Sequence, residues 1–383
     1  MKKKLGDVFE IGSGGTPSKT HPEYYGGDIP WVKTGDLKSE YLYEVEDFIT
    51  EEGLNNSSAK MYESDTVLIA MYGATIGATS ILNFPACTNQ ACAAFKKSEE
   101  ILPEYLYFFL RSKKEKFVND GVGGTQPNIS AGYLKKVQIE VRSLDEQSEI
   151  INVLDKVNRI IDERTKELAA LDDLIKARFV ELFGEPILNP KEWKIVTIGD
   201  IALDVRYGTS RPAVEGGKYP YLRMNNLTID GHLDLTDLKY IDIPEDELEK
   251  CVVRKGDILF NRTNSLELVG KTAVFDLCED MVIAGYIIRV RLNNKMMLPE
   301  IFSQYMNHKT LKKILRGMAK GAVNQANINA KELQSIKIYV PNMKLQDEFV
   351  TFVNQVNKSK VEIQQALEKT QLLFDSLMQQ YFG

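Results

Sequence analysis

The strings LFGEP at 182–186 and NPKEW at 189–193 close a first half of the 383-residue chain, and the second half then repeats the same order of landmarks. Three landmarks recur at one constant offset: Asn128-Ile129-Ser130 as Asn327-Ile328-Asn329, Gln147 as Gln346, and Phe183-Gly184 as Phe382-Gly383. A repeat of this length is a duplicated domain with its tail, because solenoid units are much shorter. The sequence therefore predicts two similar domains with similar tails. Two similar binding domains on one chain would suit an extended ligand with two binding sites, such as DNA.

Each tail is predicted to be one long helix, since apolar residues recur three and four positions apart and no Pro or Gly interrupts them before the closing Phe-Gly. Heptads sustained over this length are typical of coiled coils. Ser143 followed by Glu146 predicts a capping box at the start of the first helix. Each helix would have about 38 residues and be roughly 57 Å long.

A pseudo-twofold relation between the halves would make the two helices antiparallel. Their interface is predicted at Leu154, Ile161, Leu168, Ile175, Val353, Val356, Ile363, Leu367 and Phe374. Polar residues also fall on this seam, namely Arg164, Arg178, Lys360 and Thr370. Such residues can fix the register of a coiled coil. The alternative is a helical arm that binds a partner subunit, and both can hold because the outer faces stay free.

The globular parts mix short β-type runs with turn clusters and a few helices, which predicts α+β domains with a strongly twisted, partly barrel-like sheet. The predicted segments are a first globular domain at 1–142, a first long helix at 143–184, a linker at 185–192, a second globular domain at 193–341 and a second long helix at 342–383. The predicted fold class is α+β, with two similar globular domains separated by two long antiparallel helices in a coiled coil, as a pseudo-twofold, circular internal repeat.

Composition argues against several classes of function. The histidines His21, His232 and His308 are widely scattered, and the four cysteines show no C-x-x-C spacing, so a metal site, a zinc ribbon and a disulfide framework are not expected. The glycine-rich loop at 12–19 lacks the Gly-Lys-Ser/Thr spacing of a nucleotide P-loop. No apolar run approaches the roughly 18 residues of a membrane span. We expect a cytoplasmic protein that binds no cofactor itself and is not catalytic alone.

The charge distribution bears on nucleic-acid binding. The formal net charge of −6 argues mildly against it, because phosphate contacts need Lys and Arg. Each half nevertheless carries one basic cluster, at 111–116 and at 309–320. Their matched positions favour a face that contacts a phosphate backbone, although a solvated helix face would look similar. The acidic total also favours a basic partner subunit that shares the DNA.

Matched loops in the two halves supply the candidate DNA contacts, since Asn and Gln pair with adenine and Arg with guanine in the major groove. The candidates in the first half are Ser13, Gly14, Gly15, Thr16, Lys19, Lys33, Thr34, Tyr72, Thr75, Thr125, Gln126 and Asn128. Those in the second half are Thr209, Ser210, Arg211, Arg223, Asn225, Arg262, Thr263, Asn264, Asn324, Gln325 and Asn327. The small residues at 12–16 are expected to bring backbone N–H groups to phosphates, and Lys and Arg to position the chain. An ordinary turn is the alternative for any one of them.

The chain resembles the specificity subunits of type I restriction-modification enzymes. The likeness is carried by GGTPS at 14–18, IPWV at 29–32, GDL at 35–37, TQPNI at 125–129, Glu146-Gln147, LFG at 182–184 and NPKEW at 189–193. It covers essentially the whole chain, and the duplicated order of domain, helix, domain, helix is its most specific feature. The second half departs from the first-half motifs, with GTSRP at 208–212 and AVNQAN at 322–327, as expected if the halves read different bases.

The resemblance implies a non-catalytic DNA-reading subunit, in which each globular half is a target recognition domain for one part of a split sequence. The helices would set the gap and bind two modification subunits, which methylate adenine with S-adenosylmethionine. Two restriction subunits would add translocation and cleavage that depend on ATP and Mg. Half-sites about 10 base pairs apart lie about 34 Å apart on one face of the duplex, within reach of helices of the predicted length. The alternatives are a stand-alone DNA-binding protein without methyltransferase partners, and a nuclease or fused methyltransferase.

Overall fold

The computed structural model describes residues 1–121, 128–322 and 325–383. The chain forms two compact units, one of Met1–Thr165 with Gln364–Gly383 and one of Lys166–Ile363. The division runs through both long helices, whereas the segments predicted from the sequence keep each helix whole. The reason is packing, because Phe374, Met378 and Phe382 near the end of the second long helix are buried in the core of the first globular domain.

The first globular domain consists of short strands and helices. Its strands are β1 (Lys2–Lys4), β2 (Ile11–Ser13), β3 (Tyr25–Val32), β4 (Tyr41–Leu42), β5 (Phe48–Ile49), β6 (Met61–Tyr62), β7 (Val67–Ala70), β8 (Thr79–Leu82), β9 (Ala86–Thr88), β10 (Cys92–Phe95) and β11 (Gln138–Glu140). Its helices are α1 (Leu5–Val8), α2 (Glu51–Asn55), α3 (Pro103–Ser112), α4 (Lys114–Asn119) and α5 (Ala131–Leu134), after which α6 (Leu144–Phe183) begins. The strands form a five-stranded sheet in the order β2-β10-β7-β8-β4, a four-stranded sheet in the order β5-β3-β9-β6, and the pair β1-β11.

The second globular domain follows the same plan. Its strands are β12 (Lys194–Thr197), β13 (Ala202–Tyr207), β14 (Tyr219–Leu222), β15 (Lys239–Ile241), β16 (Val252–Val253), β17 (Ile258–Asn261), β18 (Thr263–Asn264), β19 (Thr272–Val274), β20 (Met281–Ile283), β21 (Ile287–Leu292), β22 (Lys320–Ala322), β23 (Gln325–Asn327) and β24 (Lys337–Val340). Its helices are α7 (Ile198–Ile201), α8 (Glu245–Cys251), α9 (Pro299–Asn307), α10 (Lys309–Met318) and α11 (Ala330–Ser335), followed by α12 (Met343–Phe382). Its sheets have the orders β13-β21-β17-β19, β15-β14-β20-β16, β12-β24 and β18-β23-β22.

The sheet orders confirm the predicted duplication, since β2-β10-β7-β8 matches β13-β21-β17-β19 and β5-β3-β9-β6 matches β15-β14-β20-β16. Each domain contains two separate larger sheets where one barrel-like sheet was expected. The strands are short and the chain turns repeatedly between them, so among the described residues no single ladder continues around either domain. The small sheet β18-β23-β22 has no counterpart among the described residues of the first domain.

The central strands β7 and β17 are buried along their whole length, as their apolar runs favour. In β7, Val67 and Ile69 enter one hydrophobic cluster while Leu68 and Ala70 enter another on the opposite face. This alternation follows from the period of two in a strand. Each domain therefore has apolar side chains on both faces of its central sheet.

The two long helices begin and pack as the heptads predict. Ser143 and Glu146 form the predicted capping box, with Glu146 N–H to Ser143 Oγ at 3.3 Å and Ser143 N–H to Glu146 Oε2 at 3.0 Å. In the first unit, Leu154 and Val157 near the start of α6 share a core with residues near the end of α12, including Phe374.

In the second unit, Ile175 and Phe179 near the end of α6 share a core with Phe349, Val353 and Val356 near the start of α12. The helices therefore run antiparallel. The other predicted interface residues, Ile161, Leu168, Ile363 and Leu367, are half-buried.

The polar positions of the seam have partners on the opposite helix. In the first unit Arg164 Nη1 donates to Thr370 Oγ1 at 2.8 Å. In the second unit Arg178 Nη2 lies 2.6 Å from Glu348 Oε1, and Lys360 Nζ lies 2.5 Å from Asp172 Oδ1. Polar pairs of this kind favour one register over its neighbours, because a shift of one turn would separate them.

Candidate nucleic-acid interface

One edge of the five-stranded sheet gathers the candidate loops of the first domain. Ser13 at the end of β2 lies opposite Ala93 in β10, and Ala70 at the end of β7 lies opposite Cys92. The ends of β2 and β7 and the start of β10 therefore meet at one edge, which we call the loop edge. The backbone N–H of Ile129, which directly follows the TQPN motif in sequence, donates to Met71 O at 3.0 Å and therefore lies at the same edge.

The second domain has the equivalent loop edge. Tyr207 at the end of β13 lies opposite Ile288, and Asn261 at the end of β17 lies opposite Ile287. The backbone N–H of Ile328 donates to Arg262 O at 2.9 Å, as Ile129 does to Met71. These matching pairings make Ser13 equivalent to Tyr207 and Met71 equivalent to Arg262.

The glycines at the first loop edge are required for packing. Gly14 and Gly15 are buried, and the N–H of Gly15 donates to Thr88 O at 2.9 Å. A Cβ atom on Gly14 would lie 1.8 Å from Thr88 O, and one on Gly208 would lie 2.2 Å from Ile283 O. The N–H of Gly15 therefore already has an acceptor within the protein, while a phosphate contact by Gly14 stays a prediction.

The neighbouring polar residues of the first loop edge are more accessible. The Thr16 hydroxyl donates to the side-chain oxygen of Gln90, an exposed residue between β9 and β10. Lys19 is exposed, and Thr34 is half-buried at the turn that follows β3. Lys33 forms an ion pair with Asp47, so its charge is already partly neutralised.

The turn after β7 contacts the loop that carries the first amide motif. Tyr72 forms an isolated antiparallel bridge with Asn128, and the Thr75 hydroxyl donates to Tyr72 O at 3.2 Å. Tyr72 is exposed. Two segments chosen separately in the sequence therefore lie side by side. Thr125 and Gln126 lie outside the described residues.

Arginines at the second loop edge differ in how far they are already paired. Arg211 makes two hydrogen bonds to the carboxylate of Glu247, at 3.0 and 2.7 Å. Arg223 Nη2 donates to Asp237 Oδ2 at 2.7 Å. A phosphate or base would have to replace these carboxylates. Among the adjacent candidates, Thr209 is half-buried, whereas Ser210 and Asn225 are exposed.

The turn after β17 carries amide side chains and an arginine that lies over an aromatic ring, whereas Arg211 and Arg223 pair with carboxylates. Arg262 lies over the ring of Tyr207, with 4.9 Å between the guanidinium carbon and the ring centroid. Thr263 Oγ1 donates to Asn327 Oδ1 at 3.0 Å, and Asn264 Nδ2 donates to Asn261 Oδ1 at 3.0 Å. Asn324 lies outside the described residues, as does the side chain of Gln325.

Three residues of the two basic clusters make contacts within the protein, whereas the other described cations are exposed, namely Lys114, Lys116, Lys309, Lys313 and Arg316. Lys113 Nζ donates to Phe382 O, and Arg111 lies 5.7 Å from the ring of Phe374 on α12. Lys312 Nζ donates to Gly270 O, and burial lowers the pKa of this ammonium to about 7. These three cations therefore already have partners within the protein. The expectation that the clusters form a phosphate-contacting face stays a prediction, carried by their exposed members.

The architecture agrees with comparisons against known proteins. The family model of the type I restriction modification DNA specificity domain matches residues 1–172 and again 190–372. The chain belongs to this family. The two matched stretches coincide with the two halves that the internal repeat defines, so each half is one DNA specificity domain of the family.

Curated relatives carry the same family description. The specificity subunit of the type I restriction enzyme MjaIX from Methanocaldococcus jannaschii is 32% identical over 251 residues, which are 59% of this chain and 57% of the relative. The specificity subunit of the type I restriction enzyme EcoKI from Escherichia coli K12 is 23% identical over 381 residues, covering 92% of this chain and 82% of the relative. The match with the MjaIX subunit thus spans little more than half of that relative's length.

Solved structures share the fold of this DNA specificity protein. A chain from a study of complex assembly and conformational transition of the type I R-M system superposes with a TM-score of 0.62 at 18% identity, covering 100% of this chain and 97% of the other. The S subunit of the type I restriction-modification system of M. genitalium gives a TM-score of 0.53 at 16% identity, with 100% and 96% covered. These comparisons confirm the predicted resemblance and fold class.

Across residues 1–121, 128–322 and 325–383, no helix is both long enough and apolar enough to cross a membrane.

Ligand atoms of Asp172, Asp230 and His232 lie within 4.8 Å of one another in the second unit, although His232 and Asp230 are distant from Asp172 in the sequence. Lys360 Nζ already lies 2.5 Å from Asp172 Oδ1. An ammonium on that oxygen opposes a metal cation, so the group is an ion-pair cluster between a loop and the long helices.

Sequence reasoning missed Gln90, Tyr207 and Tyr286 at the loop edges. Gln90 follows Asn89 in the short segment between β9 and β10, and only the pairing of β2, β7 and β10 reveals its place. Tyr207 ends a strand and precedes the close-packed Gly208, while the exposed Tyr286 precedes β21. Exposed aromatic residues at strand ends beside glycine-rich loops were the available signal.

Proposed function

We propose that this chain is the DNA-recognition subunit of a type I restriction-modification complex, in which each globular domain reads one part of a bipartite sequence. One observation carries this proposal: the same loop edge occurs twice, with different side chains at matching positions. The first domain has Ser13, Met71 and Ala91 where the second has Tyr207, Arg262 and Tyr286. One framework with two sets of side chains is what the recognition of two unlike half-sites requires.

The side chains of the loop edges suit base recognition. Gln90, Asn128, Asn264 and Asn327 offer amides that can pair with adenine, while Arg262 offers donors that suit guanine. Lys19 and Lys33 provide charges for the phosphate backbone. Because Lys33, Arg211 and Arg223 have carboxylate partners in the free protein, we expect DNA to take over some of these cations.

The long helices are proposed to set the gap and to bind the partner subunits. Large apolar side chains remain exposed on their outer faces: Val153, Ile160, Leu174 and Val180 on α6, and Val361, Leu372 and Leu373 on α12. Exposed apolar stripes on helices favour association with other helices. We propose two modification subunits on these faces, with two restriction subunits completing the complex. S-adenosylmethionine, ATP and Mg would then act in the partners, and a basic partner surface would offset the net charge of −6 of this chain when DNA binds.

The decisive experiment combines the purified chain with its modification subunits and a library of duplexes with randomised bases. With S-adenosylmethionine present, we expect adenine methylation at one bipartite sequence. The chain alone should give neither methylation nor cleavage when S-adenosylmethionine and Mg are added. Methyl transfer or cutting by the chain alone would contradict the proposal. Equally strong sequence-specific binding without modification subunits would favour a stand-alone DNA-binding protein.

A further inference from the structure

Arg262 is bonded unlike the other arginines on the strands and loops of the second domain. Each of the others lies within hydrogen-bond distance of a carboxylate: Arg206 and Arg289 of Asp204, Arg211 of Glu247, Arg223 of Asp237, Arg254 of Glu249, and Arg291 of Asp257. Arg262 has no carboxylate partner within the described part of the chain, where its Nη1 reaches Gly285 O only at 3.5 Å. Its buried Nε has no hydrogen-bond partner there either.

The position of Arg262 is nevertheless fixed. Its backbone N–H donates to Tyr286 O at 2.9 Å, and its carbonyl accepts from Ile328 N–H at 2.9 Å. Its guanidinium lies 4.9 Å from the centroid of the Tyr207 ring, within the range of a cation–π interaction. The Tyr207 hydroxyl accepts from the backbone N–H of Ala330 at 2.8 Å, an additional contact at the far end of the ring. The guanidinium is therefore held by an aromatic face, which leaves donors available for a ligand.

The first domain lacks this arrangement. The residue equivalent to Arg262 is Met71, which is buried in the hydrophobic core, and the residue equivalent to Tyr207 is Ser13. Tyr286 is matched by Ala91, whose carbonyl accepts from Met71 N–H as the Tyr286 carbonyl accepts from Arg262 N–H. Tyr207 and Tyr286 are 43% and 51% exposed. The Tyr207 ring lies against the Arg262 guanidinium, and the backbone of Tyr286 pairs with that of Arg262. The arginine and its aromatic neighbour are therefore specific to the second domain and are not part of the framework that the two domains share.

We infer that Arg262 reads a guanine in the half-site bound by the second domain, and that Tyr207 is the residue that positions it. The inference rests on the proposed function and names part of its substrate. A guanidinium donates two parallel hydrogen bonds to O6 and N7 of guanine, whereas adenine presents a donor at the corresponding position. A phosphate would accept from Arg262 equally well, but a phosphate contact would give no preference for any base.

The test measures base preference position by position with the full chain, its modification subunits and a randomised duplex library. Arg262→Met introduces the residue of the first domain, and Arg262→Lys keeps the charge without the planar fork. In both variants we expect the preference for guanine at one position of the DNA site to fall by about 10- to 100-fold. The base preferences at the other positions should not change. Arg254→Met is the matched control, since Arg254 lies near the opposite end of β17 and pairs with Glu249. It should leave every base preference intact.

Two variants of Tyr207 distinguish the role of its aromatic ring from that of its hydroxyl group. Tyr207→Phe keeps the aromatic face, so guanine preference should stay within about threefold of wild type, while Tyr207→Leu should reduce it by about 3- to 30-fold. Thermal unfolding of each variant establishes that it is folded. A loss common to Phe and Leu would overturn the positioning role of the ring.

The outcomes separate the two levels of the proposal. If the wild-type complex selects no bipartite sequence, the proposed function fails. If it selects one but Arg262→Met keeps the guanine preference, only the inference about Arg262 is overturned. A uniform loss of binding across all sequences would also overturn it, because that is the signature of a phosphate contact.

Discussion

Gln147 in α6 and Gln346 in α12 make the same set of hydrogen bonds in their own domains. Gln147 Oε1 accepts from Leu102 N–H at 2.9 Å, and its Nε2 donates to the carbonyls of Glu100 and Arg142 at 2.8 and 2.9 Å. Gln346 Oε1 accepts from Leu298 N–H at 2.8 Å, and its Nε2 donates to the carbonyls of Met296 and Pro341, both at 2.9 Å. Both side chains are buried. Each amide therefore joins the start of a long helix to the loop before α3 or α9.

Replacement of Gln147 by Leu should destabilise the first unit. The variant removes the side-chain partner of the Leu102 N–H and of two carbonyls, all in part-buried hydrogen bonds, and a group left without a partner on burial costs about 1–3 kcal/mol. We expect the free energy of unfolding to fall by about 2–5 kcal/mol, measured by denaturant unfolding of the full chain. Gln364→Leu, at an exposed position of α12, is the control and should change it by less than about 0.5 kcal/mol. Equal effects of the two substitutions would contradict the assigned role.

Phe374 tests the packing of α12 in the first unit. Its side chain is 4% exposed, and its ring centroid lies 6.3 Å from that of Phe108 in α3. Phe374→Ala removes a large buried side chain and should lower the free energy of unfolding by about 3–5 kcal/mol. Leu372, two positions earlier, is 69% exposed. Leu372→Ala should therefore leave the denaturation midpoint nearly unchanged, and a midpoint shared by both variants would show that Phe374 is not part of the core.

Glu40 makes the stability of the first unit depend on pH. Burial, together with the carboxylates of Asp155 and Glu104, raises the pKa of Glu40 from 4.5 to about 7. Between these values the folded chain holds a proton that the unfolded chain releases, so stability falls as pH rises through this window. Glu40→Gln removes this dependence and should be more stable than wild type at pH 8, by on the order of 1–3 kcal/mol, but not at pH 4.

Thermal unfolding at both pH values measures the effect of Glu40. Glu44→Gln, at a nearby exposed position, controls for the loss of one negative charge. If Glu44→Gln stabilised the chain as much as Glu40→Gln at pH 8, the buried environment of Glu40 would not be the cause.

The fold was largely predictable because its signals are local and repeated. Heptads place Leu154 and Phe374 on apolar helix faces, and Ser143 with Glu146 marks a helix start whatever the surrounding structure. The shared offset of Gln147 and Gln346 reflects a real equivalence of side-chain contacts. The division of each helix between two units was not predictable, because it depends on which distant residues cover a given turn.

The candidate site was less predictable because the contacts that decide it are distant in sequence. Tyr72 and Asn128 were chosen separately and lie together, but nothing local shows that the N–H of Gly15 is bonded to Thr88 O. The lysine cluster that includes Lys312 looked like a solvated basic face, yet the sheet and α10 bury its ammonium. The sequence shows where basic residues occur along the chain, but not which of their side chains are buried by distant parts of the fold.

The register between the long helices provides a test of the proposed spacing role. Insertion of one heptad between Thr165 and Lys166 of α6 alone should disrupt folding, since the contacts of Leu154 with α12 and those of Ile175 with α12 could no longer form together. Matched heptads, the second between Ile363 and Gln364, restore the register and should lengthen the gap in the methylated sequence by about 3 base pairs, from 1.5 Å per residue and 3.4 Å per base pair. Methylome sequencing of a host that carries the complex measures the gap. An unchanged gap in a folded double insertion would show that the helices do not set the spacing, while normal stability of the single insertion would show that the register is not shared.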